Sequence, residues 1–219
     1  MTRTTSRHAM IEAAERIVAE RGLPALTLKE VQLVARQANK SAATYHFGSR
    51  DGLLDAVVEL RMTPADTRRR AMLDDLDASG TAPTIRAAVE ALVLPLAAET
   101  LYRDGSCYAR FLAQAMFDPA LADTIRKHLR AESYRRVEYL LSDLCPAPDE
   151  VASWRTDNVV LLTMASLAAR EGTDRTPAQT AAIVADLIDT CVAVLEAPTS
   201  VPHSTPDPTE QTDPQGVSL

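Results

Sequence analysis

Residues 41–55 read SAATYHFGSRDGLLD, and this stretch leaves the chain few options. A short helix over residues 41–47 must stop at Gly48, and Ser49, with Asp51 in the following turn, is suited to cap another helix at once. Leu53, Leu54, Val57 and Leu60 supply the apolar stripe of that next helix. Just upstream, Thr27-Leu28-Lys29-Glu30 has the pattern of a capping box, with Leu26 and Val31 spaced as a hydrophobic staple. The helix it opens carries Leu28, Val31 and Val34 inward and runs out near Ala35. Before it, Met10, Ile11, Ala14, Ile17 and Val18 recur at helical spacing, which predicts a first helix from about Arg7 to Arg21, closed by Gly22.

Two short helices joined by a tight connection and held between longer neighbours make a helix-turn-helix, whose second member enters the major groove of DNA. The expected reader is Ser41 to Phe47. Ser41, Ala42, Ala43 and Thr44 are small enough for close approach and for apolar contact with thymine methyl groups. Tyr45 and His46 are expected on phosphates, as are Thr27, Lys29, Asn39, Lys40, Ser49 and Arg50 at or near helix starts. Phe47 is expected to plug the core between the third and fourth helices.

A net charge of −7 looks wrong for a protein that binds a polyanion. Its distribution answers the objection, because residues 1–50 hold eight Lys/Arg against four acids, a local +4. Residues 51–70 balance and the remainder carries −11, giving a basic head on an acidic body. Charges that only solvate a small domain are the alternative.

Residues 27–61, TLKEVQLVARQANKSAATYHFGSRDGLLDAVVELR, resemble the DNA-binding domain of the TetR family, the tetracycline-repressor-like transcriptional regulators. Asn39, Ser41, Ala42, the run Tyr45-His46-Phe47-Gly48-Ser49-Arg50, Gly52 and Leu53 match the family pattern. The resemblance is specific over residues 7–61 and general in architecture beyond. It implies an all-helical homodimer, a three-helix DNA-binding head on a helical effector-binding body, and repression relieved by a small molecule. One departure stands in the turn, where Arg36 replaces the usual glycine, Ala38 a common arginine and Gln32 a common alanine. A left-handed backbone there costs a residue with a Cβ roughly 1 kcal/mol.

With 219 residues, 46% hydrophobic and 4% aromatic, and without long β-branched alternation, the whole chain is expected to be all-α with about nine helices. The expected domains are 1–61, a helix-turn-helix head; 62–196, an effector-binding and dimerisation body; and 197–219, a proline-rich disordered tail. Thr63-Pro64 is expected to bend or restart the fourth helix, Pro95 to kink the fifth, and Pro119 to open a long helix to about Leu144. Thr176-Pro177-Ala178-Gln179 is a second capping box. Cys107, Cys145 and Cys191 suit buried free thiols in a reducing compartment. No apolar core follows the first residues, and the Val159–Ala169 stretch is short for a bilayer, so a soluble cytoplasmic protein is expected.

The body offers a candidate pocket in Tyr102, Tyr108, Phe111, Gln114, Met116, Phe117, His128 and Tyr134, a mostly apolar set that equally suits a plain core. Apolar residues on the final two helices, Val160, Met164, Leu167, Val184, Leu187, Ile188 and Cys191, are the candidate dimer interface, with burial inside one subunit as the alternative. There is no G-x-G, P-loop, G-x-S-x-G, H-E-x-x-H or C-x-x-C, so no enzyme, metal or cofactor is expected. The leading expectation is a ligand-released DNA-binding regulator with double-stranded DNA, a second copy and a small molecule as partners. A helical scaffold protein without an effector is the alternative, and an undetected helical enzyme a third.

Overall fold

The computed structural model describes residues 3–39, 41–118 and 132–200, with the side chains of residues 3–5 left out. Lys40, His128, the 119–131 part of the expected long helix and the tail beyond residue 200 lie outside the described residues. Among the described residues there are nine α-helices and no strands. They are α1 (Arg3–Arg21), α2 (Leu28–Val34), α3 (Ala42–Phe47), α4 (Arg50–Ala78), α5 (Ile85–Glu99), α6 (Tyr108–Met116), α7 (Glu132–Asp143), α8 (Asp149–Arg170) and α9 (Pro177–Glu196).

Helix boundaries follow local chemistry. Thr27, Ser49, Thr84 and Thr176 each accept a backbone N–H in the first turn of α2, α4, α5 and α9 respectively. At Thr176 both halves of the capping box form, with Gln179 reaching back to the Thr176 amide at 2.9 Å. At Thr27 only half forms, because Glu30 turns instead to Arg21 at 2.8 Å. An ion pair between α1 and α2 has displaced the return bond.

Two expectations about helix lengths are corrected. Helix α1 begins at Arg3, about a turn before the expected start at Arg7. Helix α4 runs through Pro64 without restarting, and α5 runs through Pro95. A proline removes one backbone donor, yet tertiary packing on α5 and α7 holds α4 helical on both sides of the break. At 29 residues, α4 extends about 43 Å and joins head to body as one rod.

Helix α1 buries Met10, Ile11, Ala14, Ile17 and Val18 against α2, α3 and α4 to close the head. It also packs on α6, so head and body share a wall. In the body, α5 is enclosed by α4, α7 and α9, while α8 packs on α6, α7 and α9. Two buried polar side chains tie helix ends together. Glu171, just past α8, accepts from the amides of Ala109 and Arg110, both at 3.0 Å, and from Ser106 Oγ at 2.7 Å, placing an anion at the start of α6. Arg155 donates to the Leu195 and Pro198 carbonyls at 3.0 and 3.2 Å, closing the end of α9.

The expected dimer residues need correction. Val160, Met164, Leu167, Val184, Leu187, Ile188 and Cys191 are all buried within the single subunit, where α8 and α9 pack on each other and on the rest of the body. The faces left exposed are different: Trp154, Leu161 and Ala165 on α8, and Ala178, Ala182 and Ala185 on α9. The apolar run of α8 is nearly continuous, so the sequence could not say which stripe faces inward. By length and composition α9 could cross a membrane, but its larger apolar residues are committed to packing in the body. The three cysteines are buried free thiols.

Candidate nucleic-acid interface

The head presents α2 and α3 on one side of α1 and α4. The connection between them forms a Schellman end. The Gln37 N–H donates to the Gln32 carbonyl at 2.9 Å and the Arg36 N–H to the Leu33 carbonyl at 3.1 Å, with Arg36 in the left-handed region at φ 51°. The expected glycine position is thus built as for glycine, but by an arginine. Asn39 then starts α3, its Oδ1 accepting the Ser41 N–H at 2.9 Å, while Gln32 Nε2 donates to the Asn39 carbonyl at 3.3 Å. Asn39 thereby shapes the turn, and its side-chain oxygen is already engaged.

Along α3 the small residues divide. Ser41 and Thr44 are exposed, whereas Ala42 and Ala43 are buried, 7% and 0% exposed. This corrects the expectation that all four face DNA. A helix of six residues in contact with α1, α2 and α4 must spend a side on the core, and these alanines are that side. Tyr45 stands 66% exposed at the end of the helix, edge-on to His46 with ring centroids 5.3 Å apart. His46 is half-buried. Phe47 packs partly on the core, as expected, and Arg7 covers its ring at 5.6 Å.

Gly48, with φ at 72°, ends α3 by donating to the Thr44 carbonyl at 2.8 Å. Gly52 is required for a different reason, since a Cβ there would lie 2.1 Å from the Phe47 carbonyl oxygen. The close approach of α4 to the end of α3 therefore depends on Gly52. Arg50 is a second correction. Its Nε donates to the Leu26 carbonyl and its Nη2 to the Leu23 carbonyl, both at 3.0 Å, so it clamps the turn between α1 and α2 and commits two of its five N–H donors there. Ser49 likewise spends its oxygen on the Gly52 amide at 3.1 Å.

The exposed set is Thr27, Lys29, Asn39, Ser41, Thr44, Tyr45 and Ser49, with His46 behind it; the side-chain oxygens of Thr27, Asn39 and Ser49 each already accept a backbone N–H. A groove of about 700 Å³ lies between α2 and α3, lined by Leu28, Lys29, Glu30, Gln32, Leu33, Gln37, Ala38 and Thr44. The spacing of apolar and capping residues assigns no binding role to Gln32, Leu33 or Gln37. Leu33, 71% exposed on a helix whose other leucine is half-buried, was the available signal: an apolar residue off the inward stripe.

Of the expected pocket residues, His128 lies outside the described residues and the others divide between core and surface. Tyr108 and Phe111 stack in the core with centroids 6.0 Å apart, and Tyr134 is also buried. Tyr102, Gln114 and Phe117 face solvent, with Gln114 donating to the Ala19 carbonyl at 3.5 Å, while Met116 is half-buried.

No family model and no curated protein matches the sequence. Solved structures do match in shape. A protein from Rhodococcus sp. assigned to the TetR family of transcriptional regulators superposes with a TM-score of 0.53 at 16% identity, covering 85% of this chain and 98% of its own. A second so assigned, from Mesorhizobium loti MAFF303099, gives 0.48 at 15% identity over 89% of this chain and 98% of its own. The chain therefore has the fold of the TetR-family regulators: a helix-turn-helix head carried on an all-helical body.

Proposed function

We propose that the protein is a dimeric, sequence-specific DNA-binding transcriptional regulator, a repressor released from a near-palindromic operator by a small apolar or amphipathic molecule. One observation carries the reading. The exposed side of α3, Ser41, Thr44 and Tyr45, stands on a helix-turn-helix whose two helices are held in place by Asn39, Arg50 and Ser49. Ser41 and Thr44 suit base edges, while Tyr45, Lys29 and Thr27 suit phosphate. Local positive charge on the head supplies the electrostatic attraction that the acidic body lacks.

Two copies make the reading geometrically complete, because a two-fold dimer sets its reading helices about 34 Å apart, one turn of DNA. The exposed α8 and α9 faces are the surfaces for it. Small alanines on α9 permit close helix approach, and Trp154 and Leu161 supply apolar area.

A mobility-shift assay with DNA from upstream of the gene tests the function. Wild type should retain one duplex selectively at physiological salt, and Tyr45→Ala with Lys29→Ala should lose that retention while keeping its helical content. Equal binding to every duplex at low salt that vanishes near physiological salt would favour a basic head meeting an acidic protein partner. Arg50 is unsuitable for the test, since its loss opens the α1–α2 turn.

A further inference from the structure

Arg69 occupies a core position. It falls in line on α4 with Met62, Ala65 and Leu73, all buried, and is itself only 1% exposed. Part of its role is plain. Its Nε donates at 3.2 Å to the Ala91 carbonyl, and that is the carbonyl left without a helical partner by Pro95, which has no N–H to return. The rest of the guanidinium is unexplained by this repair. Among the described residues neither Nη1 nor Nη2 finds a hydrogen-bond acceptor. Asp66 comes within 3.7 Å of Nη1, but one of its oxygens takes the Ser133 hydroxyl and the other takes Arg70 Nη2 at 3.0 Å. The Tyr134 ring, 5.7 Å from Cζ, offers only its face. Burial pushes the Arg69 guanidinium below its ordinary range, with the Asp66 charge opposing.

A neutral amide would repair the Ala91 carbonyl without burying a charge. What the arginine adds is a fork of N–H donors directed at nothing the described residues provide, and that fork matches the two oxygens of a carboxylate. We infer that Arg69 anchors an anion site in the body, and that the effector in the reading above, on which this inference rests, is an organic carboxylate with an apolar remainder. The carboxylate takes Nη1 and Nη2, and the apolar part lies along the buried stripe of α4. An inorganic anion could meet the charge but gains nothing from that stripe. Helix α4 runs unbroken from Arg50 to Ala78, so Arg69 is about 28 Å along the rod that starts under the reading helices. A ligand drawn to Arg69 therefore acts on an element that both domains share.

The test uses the full chain without DNA. Decanoate, hexanoate and 4-phenylbutyrate are titrated by calorimetry, each against the alcohol of the same skeleton, with sodium chloride and phosphate alone as controls, and the thermal midpoint is followed alongside. At least one carboxylate should bind saturably below about 1 mM and bind at least about tenfold more tightly than its alcohol. Arg69→Gln, which keeps a donor for Ala91, should weaken the acid about tenfold and leave the alcohol unchanged, and Arg69→Lys should fall between. Absence of saturable binding by all three acids, acids and alcohols binding alike, unchanged acid affinity in Arg69→Gln, or an equal response to chloride or phosphate alone would each overturn the inference. The acid-versus-alcohol comparison needs only wild type, so it decides the matter even if a variant misfolds. Because no DNA is present, a negative result leaves the operator-binding assay independent, and failure of that assay leaves this titration to be read separately.

Discussion

Two arginines on one helix are buried to nearly the same depth and treated in opposite ways. Arg61, at the junction with the head, forks onto Glu15 of α1, with Nε to Oε1 at 2.6 Å and Nη2 to Oε2 at 3.0 Å. Both side chains are 3% exposed. Arg69, two turns on in the body, has a carbonyl for Nε and no acceptor for its other nitrogens among the described residues. The first is a closed pair whose charges answer each other, and the second is an open donor. A closed pair fixes the angle at which α1 meets α4, whereas an open donor is available to something that arrives. The contrast separates a joint closed by an ion pair from a body that holds an open donor.

Breaking the closed pair should give the largest effect. Glu15→Leu or Arg61→Leu alone leaves an uncompensated buried charge and should cost about 3 to 5 kcal/mol in denaturant unfolding. The double variant should recover most of that loss, since an apolar pair of similar volume often replaces a buried ion pair at little cost. Burial raises the Glu15 carboxyl, with the Arg61 hydrogen bonds and charge opposing it, whereas at Arg61 burial is outweighed by the Glu15 hydrogen bonds and charge, which raise the guanidinium; the pairing favours the ionised arginine while burial disfavours the ionised carboxylate. Single variants that cost under about 1 kcal/mol would show the joint to be no more closed than the body.

The body can be probed next through Tyr134, which lies against Arg69. Burial raises its phenol from 10 to about 12, with Arg69 pulling the other way, and raises that of Tyr108 well above its ordinary value. A phenol kept neutral by the fold contributes fully below pH 10 and loses its contribution as pH rises toward the folded value. Stability should therefore hold to about pH 10 and fall between pH 10 and 12, by about 2 to 3 kcal/mol from Tyr134 alone. Phenolate absorbance read beside circular dichroism checks it. If the Tyr134 phenolate, identified by its loss in Tyr134→Phe, appears at pH 10 with the helices intact, the phenol is not enclosed.

What could be read in advance divides along the same line. The head is written in local signals: a threonine cap at Thr27, the inward stripe of α1, a stop at Gly48 and a start at Ser49 all concern residues within a few positions of each other. Even there, Ala42 and Ala43 were assigned to the wrong side, because six residues are too few for a helical period to declare its face. Arg50 was misread since its partners, Leu23 and Leu26, are far back in the chain. The body depends on such distant partners throughout. Arg69 with the carbonyl beside Pro95 and Glu171 with the start of α6 are invisible to spacing, as is Glu15 with Arg61 at the joint. The apolar stripes of α8 and α9 named the residues that pack, but an almost wholly apolar run cannot say whether they pack within one subunit or between two.

The smallest expected effect belongs to the head and tests whether its one departure from local rules matters. Arg36 occupies the left-handed position of the Schellman end of α2, where a Cβ costs roughly 1 kcal/mol. Replacing it with glycine removes that cost, but the unfolded chain gains freedom worth about 0.4 to 1 kcal/mol. Arg36→Gly should therefore lie between neutral and about 0.6 kcal/mol stabilising, a rise of at most a few degrees in the thermal midpoint. Arg36 is exposed, so the same change takes one charge from the head and should lower the salt dependence of DNA binding by no more than about one phosphate contact. A midpoint lowered by several degrees would show that the arginine side chain holds the turn by itself, and the head would then share the body's reliance on partners that the sequence does not announce.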